Sequence, residues 1–94
     1  MHNIPVIYEW NEDKRRANQK KHGVDFAAIF DFAWELALVA PDQRRHHTEE
    51  RFRAISFVGV DLFVVVYTNR KHAVRVISMR RATNQEKRIY AEST

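Results

Sequence analysis

The longest unbroken hydrophobic run of the sequence lies at 62–67 and is rich in Val and aromatic residues. This composition predicts a strand that is buried on both faces, and the run is too short for a membrane helix. A polar turn is predicted at 69–72, and the run at 73–79 predicts a second strand that ends in Arg80 and Arg81. The two strands are therefore expected to form a β-hairpin at the centre of the fold.

The side-chain alternation of the strand at 73–79 decides which face of the sheet carries Arg80. Strict alternation places Arg80 on the same face as Val74, Val76 and Ser78. If that face is the core side, Arg80 requires a partner or a function, because a buried charge without a partner is costly. The alternative is a solvated charge at the end of a strand.

A polar segment between Asn11 and Gly23 carries the signals of both ends of a helix. Asn11 is a typical N-cap, Gly23 suits the left-handed residue after the last turn, and the flanking charges match the helix dipole. Ala17 is the only apolar residue inside this helix. The helix is therefore either a solvated surface element or a basic helix that lies against a polyanion.

Shorter elements are predicted around these two features. A first strand is expected at 4–10, and Asp25 is expected to cap a short helix whose apolar residues face the core. Two further strands are predicted at 36–40 and 51–58, with an exposed polar connection at 42–50 between them. Short connections join the later strands, which favours an antiparallel meander.

Thr83 and Glu86 have the spacing of a capping box, which predicts a C-terminal helix at 84–92. The predicted element order is β-α-α-β-β-β-β-α. We therefore expect an α+β fold, in which a small antiparallel sheet of about four to five strands is combined with N-terminal helices and a C-terminal helix. The helices are expected on one face of the sheet.

The composition predicts one soluble domain that spans residues 1–94. Of its 94 residues, 45% are hydrophobic, which is enough for one small core, and there is no cysteine to form disulfides or thiolate metal sites. The first residues, MHNIPVIYEW, lack the basic start and apolar stretch of a signal peptide. A cytoplasmic protein without a membrane segment is the simplest interpretation.

The positive charge is concentrated in one part of the chain. Residues 70–88 contain seven Lys or Arg and one acid, a net charge of +6, whereas the whole chain carries +4. This clustering favours a nucleic-acid partner, since phosphates bind clustered cations. A basic surface that only aids solubility is the alternative.

Familiar catalytic patterns are absent from the sequence. With two glycines there is no glycine-rich phosphate loop, and without cysteine there is no thiol nucleophile. His46, His47, Glu49 and Glu50 could imitate a metal site, but adjacent histidines point in different directions and the segment reads as a loop. No metal or other cofactor is predicted.

The remaining candidates are basic or proton-transferring side chains that could act on RNA. RNA supplies its own nucleophile, the 2′-hydroxyl, and cleavage requires a base, fixed positive charge on the phosphorane and an acid for the leaving oxygen. Arginine suits the charge role, and His, or a Glu or Tyr with a shifted pKa, suits proton transfer. The candidates are Lys21, His22, Arg51, Arg70, His72, Arg75, Arg80, Glu86 and Tyr90.

Several of these residues also have a purely structural explanation. His22 is a favourable cation at a helix C-terminus, and Arg70 lies in a predicted turn. Glu86 is accounted for by the capping box, and Tyr90 suits a core aromatic with a solvated hydroxyl. The residues alone therefore indicate a basic site and leave open whether it is catalytic.

Three segments of the chain resemble the BrnT toxins: YEWNEDKRRANQKKHGVDFAAI, VVVYTNR and VRVISMRRATNQEKRIY. The similarity covers nearly the whole chain in the same order and spacing. Its most specific parts are Trp10 and Asn11 opening a helix with Lys14 and Asn18, the Lys-His-Gly-Val segment at 21–24, the strand end with Thr68 and Arg70, and the segment at 77–80 followed by Glu86 and Tyr90. Met79 departs from the small residue expected there.

The resemblance implies a ribonuclease toxin of a type II toxin–antitoxin pair, with a fold of the RelE type. It further implies cleavage of RNA without a metal and inhibition of translation. The implied partner is a BrnA-type antitoxin, whose ribbon-helix-helix part binds DNA and whose other segment holds the toxin. The implied complex is a heterotetramer of two toxin and two antitoxin chains.

By resemblance, Arg70 and Arg80 are expected to bind the phosphate and the transition-state charge. His22 is the first candidate for proton transfer, and Glu86 is the second. The residues expected to bind the RNA are Lys21, Arg51, Arg75 and Tyr90.

Two other functions remain open from the sequence. The first is a non-catalytic nucleic-acid-binding or regulatory module, which would use the same cations and release no product. The second is an interaction domain whose basic face receives an acidic protein partner. RNA cleavage in the presence of a chelator distinguishes the ribonuclease from both.

Overall fold

A five-stranded sheet with helices on both faces organises the chain. The computed structural model describes residues 6–43 and 49–93. Its elements, in chain order, are β1 (Tyr8–Glu9), α1 (Glu12–His22), two 3-10 helices (Phe26–Asp31 and Trp34–Leu36), β2 (Leu38–Pro41), β3 (Phe52–Val58), β4 (Asp61–Arg70), β5 (Ala73–Arg81) and α2 (Asn84–Ser93). The predicted α+β class and element order are confirmed.

The sheet has the strand order β1-β5-β4-β3-β2. The strands β2 to β5 form the expected antiparallel meander. However, β1 pairs with β5 in parallel, with Tyr8 opposite Val74. A long connection leads from β1 to the other strands, so no tight turn constrains its direction. Residues 4–5 of the predicted first strand and 44–48 of the predicted connection lie outside the described residues.

The hairpin strands are longer than predicted. β4 continues through Asn69 and Arg70, and β5 continues through Arg80 and Arg81. The polar residues at the strand ends do not end the strands. Their side chains reach solvent at the end of the sheet, while their backbone groups still pair between β4 and β5. The turn itself consists of Lys71 and His72.

A β-bulge in β5 changes the face on which Arg80 lies. Val66 pairs with Ser78, but the next residue, Tyr67, pairs with Val76, so Ile77 is an extra residue in the strand. The prediction from strict alternation is therefore wrong: Val74 and Val76 face the core that contains the first 3-10 helix, whereas Ser78 and Arg80 face the opposite side.

Two separate cores cover the two sides of the sheet. The larger core contains the first 3-10 helix, with Phe26 and Ile29 fully buried against Met79 and Val76. The smaller core lies on the other face, where Tyr90 of α2 packs with Ile55 and Val64. The expectation that all helices lie on one face is therefore wrong.

The N-terminal helix has the ends that the sequence predicts. The Asn11 side chain accepts a hydrogen bond from the Lys14 backbone N–H at 3.1 Å. Gly23 adopts a left-handed conformation (φ 70°), and its N–H donates to the Gln19 carbonyl at 2.8 Å. The helix therefore ends immediately after His22, one turn beyond the buried Asn18.

Candidate active site

Arg80 and Glu86 form a two-point ion pair where β5 leads into α2. Arg80 Nη1 donates to Glu86 Oε1 at 2.7 Å, and Arg80 Nη2 donates to Glu86 Oε2 at 2.8 Å. The two side chains are 27% and 14% exposed, so the pair is partly withdrawn from solvent. This geometry fixes the plane of the guanidinium.

The capping box of α2 holds Glu86 in place for this pair. The Thr83 backbone N–H donates to Glu86 Oε1 at 2.8 Å, and the Glu86 N–H donates to Thr83 Oγ1 at 3.2 Å. Hydrogen bonds from Arg80 lower the pKa of Glu86 from 4.5 to about 2. Glu86 is consequently a fixed anion at neutral pH, whose task is to orient Arg80.

Asn18 brings the C-terminal turn of α1 to the same place. Asn18 is 7% exposed, and its side chain exchanges hydrogen bonds with the backbone of Met79, the residue before Arg80. Its amide also donates to the Val24 carbonyl at 3.0 Å. Because residues four apart share a helix face, the anchored Asn18 carries His22 toward Arg80.

His22 lies within the electric field of Arg80. Burial lowers the pKa of His22 below its ordinary value of 6.5, and the positive charges of Lys21 and Arg80 lower it further. The imidazole is therefore neutral at pH 7 and can accept a proton. A neutral base beside a fixed guanidinium is an arrangement that can act on a phosphodiester.

The sheet face that carries Arg80 also carries other arginines. Cross-strand partners share a face, and Val64, which belongs to the smaller core, is the partner of Arg80. By the same register, Arg53 lies opposite Val66 and Arg75 opposite Thr68. Side-chain alternation along the strands adds Arg51 and Arg70 to the same face. We call this surface the arginine face. Its members are Arg51, Arg53, Arg70, Arg75 and Arg80.

The arginines of this face differ in their partners. Arg75 pairs with Glu9 at 2.6 Å, and Arg70 pairs with Glu49 at 3.0 Å. Arg51 and Arg53 form no ion pair with any residue of the described chain, although both are partly buried. The arginine face therefore retains positive charge that an anionic ligand could neutralise.

A family model described as "Ribonuclease toxin, BrnT, of type II toxin-antitoxin system" matches residues 10–86 of the chain. The chain belongs to the BrnT family of ribonuclease toxins. The crystal structure of the Brucella abortus ribonuclease toxin BrnT, determined at 1.1 Å, is similar over 85% of this chain and 100% of that chain, with a TM-score of 0.70 and 34% sequence identity. A search of curated proteins gave no match.

The matched range of this BrnT chain includes both His22 and Glu86. Among the predicted site residues, His22 is within electrostatic range of Lys21 and Arg80, and Arg80 pairs with Glu86. Arg70 does not join this group. It lies six residues along β4 from Val64, the partner of Arg80, which corresponds to about 20 Å of strand.

Tyr90 does not lie on the surface that the sequence analysis expected to bind RNA. It is 8% exposed, its ring packs edge-to-face on Phe57, and its hydroxyl donates to the Leu36 carbonyl at 2.7 Å. Tyr90 is therefore a core residue that docks α2 on the sheet. The core position that the sequence also allowed is the one observed, although the hydroxyl bonds to a backbone carbonyl instead of solvent.

Sequence reasoning missed two residues of this BrnT site. Arg53 was not singled out, although it lies two residues after Arg51 in a predicted strand and must share its face. Asn18 entered the sequence reasoning only as part of the family motif at the start of the helix, because a polar residue in a polar helix gives no indication that it is buried. Its role depends on tertiary packing alone.

The described part of the BrnT chain contains no cluster of three or more His, Asp or Glu side chains that could hold a metal ion. His46 and His47, which the sequence analysis considered together with Glu49 and Glu50, lie outside the described residues. Within the same described ranges, no helix is both long and apolar enough to cross a bilayer.

Proposed function

We propose that this chain is a metal-independent endoribonuclease whose reaction centre consists of His22, Lys21 and Arg80. The observation that carries the proposal is the pair of hydrogen bonds between Asn18 and Met79, which brings the last turn of α1, with His22, to the Arg80 guanidinium that Glu86 holds. The family description as a ribonuclease toxin supports RNA as the substrate. The arginine face would bind the RNA backbone on either side of the cut.

In the proposed reaction, the 2′-hydroxyl of the RNA attacks the adjacent phosphorus while His22 accepts its proton. Arg80 and Lys21 stabilise the negative charge of the phosphorane. The bond from phosphorus to the 5′-oxygen then breaks, and the 5′-oxygen takes a proton from water. The products are a 2′,3′-cyclic phosphate and a 5′-hydroxyl, and His22 returns its proton to solvent.

Glu86 has a positioning role in this proposal rather than the proton-transfer role considered from the sequence. Arg80 engages both carboxylate oxygens, and a pKa of about 2 makes Glu86 a poor proton acceptor at neutral pH. Its charge also keeps Arg80 from repelling a protonated His22. Removal of Glu86 should therefore disorder Arg80 and slow the reaction indirectly.

Arg51, Arg53 and Arg75 lie between the reaction centre and Arg70 on the arginine face. This arrangement favours an RNA strand that runs along β3 to β5 and contacts Arg70 at its far end. Arg70 then binds a phosphate remote from the cut, and not the phosphorane. The cationic length of about 20 Å accommodates several nucleotides.

The proposed protein partner is a BrnA-type antitoxin with a ribbon-helix-helix part that binds DNA. The family description places the chain in a type II toxin–antitoxin system, in which a protein neutralises the toxin. We further propose a cytoplasmic heterotetramer of two toxins and two antitoxins. The molar mass of the co-expressed complex, measured by light scattering, tests this stoichiometry.

The test of the ribonuclease proposal uses purified protein and a fluorescently labelled RNA in buffer with excess EDTA. The expected result is cleavage that persists in EDTA and leaves 2′,3′-cyclic phosphate ends. Loss of cleavage in EDTA that added Mg²⁺ restores would overturn metal independence. Salt-dependent RNA binding without any product would instead favour a non-catalytic binding module, a function for which Arg51 and Arg53, which form no ion pair within residues 6–43 and 49–93, also suffice.

A further inference from the structure

An apolar cleft of about 250 Å³ lies on the sheet face opposite the arginine face. It is located at the end of the sheet where β1, β5 and β4 meet the hairpin turn. Its walls are Val6, Tyr8, Trp34, Tyr67, Asn69 and Val74. Among the described residues, no Lys, Arg, Asp or Glu lines it, so this part of the cleft is uncharged.

The aromatic walls of this cleft are fixed by contacts with one another. The Trp34 indole N–H donates to the Tyr8 hydroxyl at 2.6 Å. Trp34 packs edge-to-face on Tyr67 at 5.1 Å, and Tyr67 stacks on Phe52 at 5.7 Å. A preformed apolar cleft needs little reorganisation to receive a side chain, which favours its use as a binding site.

The surface around the cleft is apolar on one side and cationic on the other. Val6 is 55% exposed, and Phe30, which packs on Tyr8 at 5.3 Å, is 66% exposed. On the hairpin side, Lys71 and His72 are exposed and form no ion pair within the described ranges. A ligand that fits both sides carries an apolar anchor and negative charge.

We propose that this cleft receives an apolar side chain of the protein antitoxin, from a segment whose acidic residues face Lys71 of the hairpin turn. The inference rests on the proposed function, which supplies the partner, and it assigns the surface that the partner uses. A nucleobase fits the observations less well. The arginines that would hold its phosphates, Arg51 and Arg53, lie on the opposite face of the sheet, where they form no ion pair with another described residue.

The arrangement separates toxin capture from the reaction centre. An antitoxin segment in the cleft lies on one face of the sheet, whereas RNA lies along the other. Changes in the cleft should therefore weaken the complex without altering cleavage by the free toxin. Because of this separation, the ribonuclease proposal and the cleft proposal can each be refuted without affecting the other.

The experiment measures binding of a BrnA-type antitoxin, encoded beside the toxin gene, to four toxin variants by calorimetry. Val6→Asp places a charge at the rim of the cleft, and Lys71→Glu reverses the charge of the hairpin turn. The matched controls are Val60→Asp, at a valine that is 91% exposed on the β3–β4 turn, and Lys87→Glu on α2. Thermal melting verifies that all four variants are folded, and RNA cleavage is measured for each alone.

We expect the two cleft variants to bind the antitoxin about tenfold more weakly or worse, and the two controls to bind as wild type. All four should cleave RNA at the wild-type rate. Equal antitoxin affinity for all four variants overturns the inference and leaves the ribonuclease proposal intact. Unchanged antitoxin binding with weaker RNA binding by Val6→Asp would identify a nucleobase site and also overturns it. Absence of cleavage by the wild type refutes the proposed function, while the binding series still tests the cleft.

Discussion

Asn18 and Met79 exchange two hydrogen bonds that join α1 to β5. The Asn18 amide donates to the Met79 carbonyl at 2.7 Å, and the Met79 N–H donates to the Asn18 side-chain oxygen at 3.1 Å. The side-chain amide of Asn18 thus forms the same two hydrogen bonds with β5 that the backbone of a neighbouring strand would form. Because Met79 precedes Arg80 and Asn18 lies one turn before His22, this contact sets the distance between the proposed base and the proposed phosphate-binding arginine.

Asn18→Ala is expected to lower the free energy of unfolding by about 2–4 kcal/mol, because it leaves buried polar groups of Met79 and Val24 without partners. It should also slow RNA cleavage, since His22 loses its fixed position. Chemical denaturation measures the stability change. Gln19→Ala, at an exposed neighbouring position, should change stability by less than about 0.5 kcal/mol. Equal effects at the two positions would contradict the anchoring role.

Glu86→Gln is expected to destabilise the protein at pH 7 by about 1–3 kcal/mol, because the neutral amide loses the charge-assisted bonds to Arg80. The carboxylate has a pKa lowered from 4.5 to about 2 in the folded protein. Its stabilising contribution is therefore complete above pH 4.5 and disappears as the pH falls from 4.5 toward 2.

Denaturation of Glu86→Gln and wild type across this pH range should give stability curves that converge in acid. Glu92→Gln, at an exposed position of the same helix, is the control and should show no such difference. A stability difference for Glu86→Gln that stays constant from pH 7 to pH 3 would show that the Arg80–Glu86 ion pair does not cause it.

The rate of RNA cleavage is expected to fall as the solution is acidified below pH 6.5. His22 must be neutral to accept a proton, and its pKa is lowered from 6.5 by burial and by the charges of Lys21 and Arg80. The acidic limb of the pH–rate profile should therefore have its midpoint below 6.5. His22→Ala should remove most activity, whereas His72→Ala, at the exposed hairpin turn, should retain the wild-type profile. An acidic limb that is unchanged in residual His22→Ala activity would assign the base elsewhere.

Arg53→Ala is expected to weaken RNA binding and to reduce the slope of the salt dependence by about one, because one phosphate contact is lost. Fold stability should change little, since Arg53 has no ion pair within the described chain. Fluorescence anisotropy at several salt concentrations measures both quantities. Arg16→Ala, on the outer side of α1, should leave the slope unchanged. If both variants lower the slope equally, the contribution of arginine is not specific to the arginine face.

Local signals in the sequence predicted the elements of the fold well. Asn11, Gly23 and the pair Thr83 and Glu86 are caps whose chemistry involves residues only a few positions apart, and each is confirmed. The antiparallel meander followed from short connections between strands. Such features depend on neighbours in the chain, which the sequence displays directly.

Features that depend on distant partners were not predictable in the same way. One inserted residue, Ile77, moved Arg80 to the other face of the sheet, and no residue type at this position signals a bulge. The distance between Arg70 and Arg80 depends on the length of the hairpin strands. The sequence predicted shorter strands, because the residues at their ends are polar. The burial of Tyr90 depends on its contacts with Leu36 and Phe57.

The single-turnover rate of RNA cleavage by Arg80→Ala, in EDTA, tests the central claim most directly. The matched control is Arg81→Ala, because Arg81 is the adjacent arginine, faces the other side of the sheet and pairs with Asp61 at 2.9 Å. If the guanidinium of Arg80 stabilises the phosphorane, Arg80→Ala should be slower by about 10²–10³-fold while Arg81→Ala stays near the wild-type rate. A folded Arg80→Ala protein that cleaves RNA as fast as Arg81→Ala would contradict the account.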